Sequence, residues 1–282
     1  MPRLLNRLPG QSLRIGVSGF AVSLLKASRW FGPRAELLAE QPFSPEGVSA
    51  QHAHHAIGLA LRELLAGQDV QGWPAAFVLA DDLARMWQVA PPAQAARLAD
   101  LEAAAALRFH SLYGEPASGW KIVADWDMQQ PFFAAAMPLP LLAALEQCAA
   151  DHGMAAVEVQ PHFVTAWNRW HGALKAGAWF GQVHDSLLTL AVIGGQRLHA
   201  IRSLPVPRGA DQYWLAQTLR REALLAGLEA PALVQLCGQV PAALAKPAAH
   251  ADQISCTVLG AALPGEEKWS LASVLARGGL AA

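Results

Sequence analysis

The stretch 178–204, AWFGQVHDSLLTLAVIGGQRLHAIRSL, constrains this chain more than any other. It predicts three β-strands in a meander, over 179–183, 187–193 and 197–204. His184-Asp185-Ser186 forms a polar corner, and Gly194-Gly195 supplies the positive φ that a tight hairpin needs. The middle strand is almost wholly apolar, which suits a strand covered on both faces. An amphipathic helix is expected over about 210–226.

The opening of the chain repeats that order. Residues 13–19 (LRIGVSG) and 20–29 read as a strand pair, and 36–43 as a third strand. Ser44 is placed to cap a helix, Pro45 to be its first residue, and the helix runs to about 66. Its apolar face is Ile57, Leu61, Leu64 and Leu65. Between the repeats, strands are expected over 75–80, 121–126, 132–137 and 155–160. Helices are expected over 94–112 and from Pro138 to Asp151, closed by Gly153, and another starts at Pro161 with Phe163, Ala166, Trp167 and Trp170 along one side. Two short strands follow at 232–237 and 254–259, with a helical 241–245 between them. Residues 278–282 read as loose.

Composition sets the outer bounds. A chain of 282 residues can bury one large core or two medium ones. It is 53% hydrophobic and 15% charged, yet no apolar run reaches the ~18 residues that span a bilayer. The net charge of −1 gives no electrostatic reason to expect nucleic acid or an anionic membrane as partner. Cys148, Cys237 and Cys256 form no CxxC pair, so a disulfide framework or structural zinc is not expected. With no signal-peptide pattern at the N-terminus, the expected home is a reducing cytoplasm. Residues 1–12 are expected to be a flexible N-terminus.

A meander plus helix in each half, with further β/α elements between, resembles the plan of the actin-like (ribonuclease-H-like) ATPase fold. The middle of the chain adds WKIVADWD (120–127), FFAAA (132–136) and HGMAAVEVQP (152–161), followed by an aromatic helix. This order is similar to PilM-type proteins, whose relatives include the cytoplasmic GspL domain of type II secretion and MshI-like pilus proteins. Arg202-Ser203-Leu204-Pro205 also looks like that family's close of the third strand. The resemblance covers most of 13–260 and implies an α/β, duplicated fold. Its first half is expected over 13–160 with an inserted subdomain, and its second over 161–282.

The same resemblance implies a nucleotide cleft between the halves, and here its signatures are eroded. Ser18, followed by Gly19, stands where active members carry a metal-holding Asp in the first hairpin. Without that carboxylate a phosphate-bridging Mg²⁺ loses its anchor. The second loop reads WFGQVHD (179–185), keeping only Gly181, and the adenosine turn is reduced to Cys237-Gly238-Gln239. Ser18, Gly19, Gly181 and Gly238 are therefore expected to line a vestigial cleft. No cofactor is expected, with ATP and Mg²⁺ as the alternative. No G-x-x-x-x-G-K-[ST] or G-x-G-x-x-G motif occurs, which removes P-loop and dinucleotide readings.

Other candidates each carry a plainer alternative. His52 and His55, at i and i+3, could share a metal, but nothing nearby completes a ligand set, and a solvated helix face is the better reading. Asp81-Asp82 ends a strand where α/β folds place ligands, or caps the next helix. Asp125 and Asp127 form an acid/base pair or are exposed alternates of an edge strand. His184 and Asp185 lack the serine elbow that would make a triad. Of ten Trp, Trp73, Trp87 and Trp214 fall in expected loops or at a helix start, where a partner peptide could bury them.

The function the resemblance implies is a non-catalytic scaffold, a pseudo-ATPase of a type IV pilus or type II secretion inner-membrane platform. It would be cytoplasmic and peripheral to the bacterial inner membrane, bind the cytoplasmic tail of a bitopic membrane protein, and contact a motor ATPase. The alternatives are an ATP-binding kinase or ATPase of the same superfamily, and a binding protein of this fold unrelated to pili.

Overall fold

The structure, a computed structural model, describes residues 10–28, 34–44, 50–195, 197–245, 254–260 and 269–278. The chain opens with β1 (Gln11–Val17), β2 (Ala21–Ser28), β3 (Arg34–Pro42) and α1 (Ala50–Leu65). Next come β4 (Pro74–Leu79), β5 (Arg85–Val89), α2 (Leu98–Tyr113), β6 (Trp120–Ala124) and β7 (Phe132–Pro138). They are followed by α3 (Leu139–Asp151), β8 (Ala155–Pro161) and α4 (His162–Trp170). The second meander is β9 (Trp179–His184), β10 (Leu187–Gly194) and β11 (Arg197–Pro205), and α5 (Gln212–Ala226) follows it. The last elements are β12 (Leu233–Gly238), β13 (Ser255–Val258) and α6 (Leu271–Arg277).

These elements form two units, each with its own five-stranded sheet. The orders are β3-β2-β1-β4-β8 and β11-β10-β9-β12-β13, so the topology is duplicated. In both, the meander is antiparallel and the last two strands add in parallel. The registers match as well. Val17 pairs with Leu79 as Val183 pairs with Gly238. One residue further on, the Ala80 N–H donates to the Val17 carbonyl at 2.8 Å, and the Gln239 N–H donates to the Val183 carbonyl at 2.9 Å.

The two units are not the successive halves 13–160 and 161–282. The first comprises Met1–Leu83, Leu139–Arg169 and Ala261–Ala282, and the second Ala84–Pro138 and Trp170–Gly260. The last helix explains part of this. Although α6 follows the second sheet in sequence, it packs on β1 and β2. Ala272, Leu275 and Ala276 are buried there, and Arg14 Nε donates to the Ala276 carbonyl at 3.0 Å. Gln11 and Ser12, expected within a flexible stretch 1–12, pair with Ser28 and Ala27 in β1, and residues 1–9 lie outside the described residues.

In the second unit α5 lays Leu215, Ala216, Leu219 and Ala223 against Trp179, Val183, Leu188, Leu190, Val192, Val234 and Leu236. Each Leu buried this way is worth about 1.5–3 kcal/mol. Asp211 accepts the Trp214 N–H at 3.0 Å as N-cap, and Gly227 ends the helix in the left-handed conformation. The small sheet β5-β7-β6 sits under α2 around Trp87, Phe109 and Phe132. The Gln88 side-chain amide ties it to the Leu198 carbonyl of β11.

Several expectations shift. Gly194 pairs with Arg197, so of the expected turn pair Gly194-Gly195 only Gly195 lies beyond the strand. Ser18 leaves the strand and Gly19-Phe20 form the first hairpin's turn, because Val17 already pairs with Val22 and the Ser18 N–H donates to the Ala21 carbonyl. Residues 242–244 make a single turn closed by Leu244 N–H to the Pro241 carbonyl, not a helix. The Ser44–Pro45 helix start falls at 45–49, and the loose C-terminus mostly at 279–282, both outside the described residues.

Candidate functional site

Each unit carries, at the end of its first strand, the hairpin where this plan would hold phosphate. In the first unit Ser18 occupies the position before a two-residue turn, and it is wholly buried. Its hydroxyl donates to the Ala21 carbonyl at 2.8 Å and accepts the N–H groups of Ala21 at 3.1 Å and Phe20 at 3.4 Å. Its own N–H donates to the Ala21 carbonyl at 3.0 Å. The serine thus closes the turn on itself and consumes the donors a phosphate would need. Gly19 beside it stands open, with room for a side chain.

The equivalent position in the second unit is His184, which pairs with Leu187 across the two-residue turn Asp185-Ser186. Asp185 is the one described non-glycine residue with positive φ, at 52°, a conformation that Asp tolerates better than most residues. A carboxylate thus stands at the tip, where a phosphate loop would present N–H groups. His184 is 6% exposed, and burial drives its pKa down to about 4 despite the opposing pull of Asp185.

Gly181 does not belong to a ligand loop. It lies inside β9 with its missing side chain directed into the core. A Cβ there would come within 2.6 Å of Leu236 Cδ2 and 2.9 Å of Leu188 Cδ1. Gly238 is a different case. It ends β12 at φ 86°, and a Cβ would meet the Val183 carbonyl oxygen at 2.1 Å and Gln182 Nε2 at 2.9 Å. Only glycine fits, and the reason is the approach of β12 to β9. The structure therefore brings Gly238 beside Gln182 and Val183, while Gly181 serves packing.

Taken one unit at a time, these residues do not fit a Mg²⁺-bound nucleotide. Residues 14–20 contain no acid to anchor the ion. The Ser18 hydroxyl is spent on its own turn.

The remaining candidates resolve into structural roles. Asp81 is 4% exposed, and its Oδ1 accepts the Phe163 N–H at 2.8 Å. It therefore caps α4, 82 positions along the chain, and not the next helix. Asp125 and Asp127 lie beyond β6, not as alternates along it. Asp127 accepts the N–H groups of Gln129 at 2.7 Å and Gln130 at 3.0 Å, which organises the turn into β7 and lowers its pKa. His55 is exposed on α1, the side chain of His52 lies outside the described residues, and no metal-binding cluster occurs among those described.

Two of the three tryptophans are withdrawn from the surface. Trp87 lies in β5, a strand the sequence does not announce, at 2% exposure against Phe109 and Tyr113. Trp73 is 8% exposed, with Lys26 Nζ 5.8 Å from its ring centre. Trp214 is half-buried against the second core. Sequence reasoning passed over the contact between α6 and β1, although a glycine inside a strand, Gly16, marks such close backbone approaches.

The sequence matches no protein-family profile and no curated protein. Solved structures do match. The cytoplasmic domain of EpsL, an inner-membrane component of the type II secretion system of Vibrio cholerae, aligns at TM-score 0.56 and 12% identity, covering 95% of this chain and 94% of that one. A chain of the PilM–PilN type IV pilus biogenesis complex aligns at TM-score 0.56 and 15% identity, covering 83% of each. A Bacteroides thetaiotaomicron protein of unknown function with an actin-like ATPase fold aligns at 0.55 and 10% identity, covering 82% and 83%. The chain has the actin-like ATPase fold.

Proposed function

We propose that this actin-fold chain is a non-catalytic scaffold of a pilus- or secretion-assembly platform at a bacterial inner membrane. The observation that carries the reading is the self-closed Ser18 hairpin, on a fold shared with PilM and with the cytoplasmic domain of EpsL. A nucleotide-hydrolysing member needs a carboxylate and unspent donors at that turn.

In this reading the chain binds the cytoplasmic tail of a bitopic membrane protein and passes contact on to a motor ATPase. Extended tails bind by adding to a strand edge or lying in an apolar groove. The edge strands β3, β8 and β6 are the candidates for the first mode. No described helix is long and apolar enough to cross a membrane.

Thermal unfolding tests the reading. Saturating MgATP is expected to leave Tm unchanged. A synthetic peptide of the cytoplasmic tail of the bitopic protein encoded beside this chain is expected to raise it, since a ligand at 100 times its Kd adds about 2.7 kcal/mol. A Tm raised by MgATP, or phosphate release from it, would end the scaffold reading in favour of an ATP-binding enzyme.

A further inference from the structure

The outer face of α5 is apolar and cationic, and nothing described in its unit covers it. Leu224 is 81% exposed, Tyr213 72% and Leu225 67%. Tyr213, Gln217, Arg220 and Leu224 follow one another at i, i+4, i+7 and i+11, which puts them in a single stripe. The stripe runs about 16 Å along the helix axis. Arg221 borders it with its side chain 60% exposed. No acid occupies an exposed position of the helix; Asp211 and Glu229 lie beyond its two ends.

The charge of this face is fixed from beneath. Glu222 points inward at 3% exposure, with Arg202 Nε at 3.4 Å and Arg221 Nη2 at 2.9 Å. One carboxylate shared by two guanidiniums leaves a net positive charge. The helix is also held rigidly, capped at both ends and seated on the second core. A preformed helix with Leu and Tyr standing out between arginines has the composition of interfacial helices, whose apolar side chains sink below the headgroups while cations meet phosphate.

We propose that the exposed face of α5 lies on an anionic phospholipid surface. The face is a ridge, which an extended tail cannot grip as it would a groove or strand edge. A second copy is disfavoured by charge, because a two-fold pairing of α5 would set Arg220 and Arg221 against their own images. The proposal does not depend on the scaffold reading, since it needs neither a tail peptide nor an inert nucleotide site.

Co-sedimentation of the full chain with vesicles tests it. The probes are phosphatidylethanolamine vesicles with about one third phosphatidylglycerol, and neutral phosphatidylcholine vesicles. The chain is expected to pellet with the first and not the second, and to be released by high salt. The double variant Leu224→Gln/Leu225→Gln alters two solvent-exposed side chains, so it should keep its Tm while losing affinity about tenfold or more. Leu224→Glu, with an acid in the patch, should not pellet. Wild-type chain remaining in the supernatant overturns the proposal, as does a double variant that pellets equally. A dimer seen by light scattering and lost in the double variant, without vesicle binding, would assign the face to a second copy. Loss of tail-peptide binding in that variant, again without vesicle binding, would assign it to a protein. Either result ends the lipid proposal.

Discussion

Ser23 donates its hydroxyl to the carbonyl of Ala272 at 2.6 Å, joining β2 to α6 across 249 positions of chain. Gly16 pairs with Ser23 on the neighbouring strand. A Cβ on Gly16 would lie 2.6 Å from the Ala272 oxygen and 2.8 Å from the Ala276 nitrogen. The helix backbone therefore rests directly on the strand.

Gly16→Ala is accordingly expected to push α6 off the sheet and cost about 3 kcal/mol. Gly19→Ala, three residues away with open space around it, should stay within about 0.5 kcal/mol. Urea midpoints compare the two. Hydrogen exchange at the α6 amides checks that the loss is local; equal midpoints would mean the helix is not seated as described.

Asp81→Ala removes the cap of α4 and leaves the Phe163 N–H without its acceptor. The expected loss is about 1–2 kcal/mol. Asp81→Asn keeps an acceptor oxygen and should recover most of it, which the same urea titration measures.

His184 couples stability to pH. Its folded pKa of about 4 lies below the ordinary 6.5, so the unfolded chain binds the proton more readily. Stability is thus complete above pH about 6.5 and falls as pH is lowered toward 4, by at most about 3 kcal/mol. Denaturation midpoints across that window should drop in the wild type and flatten in His184→Gln.

The thiols of Cys148 and Cys256 are both pushed up to about 11, chiefly by burial. At pH about 8 only about one in a thousand is thiolate. Both should react slowly with a thiol reagent in the native protein and fast in denaturant, followed by absorbance and assigned by peptide mass. Rapid native labelling of Cys148 would contradict its burial.

The duplicated plan was legible because it rests on local signals. The apolar run of β10, the turns at Gly195 and Gly153 and the face of α1 are each written within a few residues. Other features depend on partners far along the chain. Arg85–Val89 alternates too briefly, between Asp81-Asp82 and Pro91-Pro92, to stand out as a strand, so the sequence reads Trp87 as a loop residue. At seven residues α6 is too short to announce itself, and its reason for being helical is the sheet it covers. Gly181 looked like a loop glycine because glycines mark phosphate loops and tight packing alike. On α5 the sequence points to Trp214, whereas its neighbour Tyr213 is the one facing outward, a difference of one position and about 100° around the helix.

The return of α6 to the first sheet also bears on how the protein is made. A growing chain lays down Gly16 and Ser23 early, yet the helix that covers them is made only after every strand of the second sheet. Until then that strand surface lacks its α6 cover, so the first unit completes its packing only after the strands of the second have been synthesised.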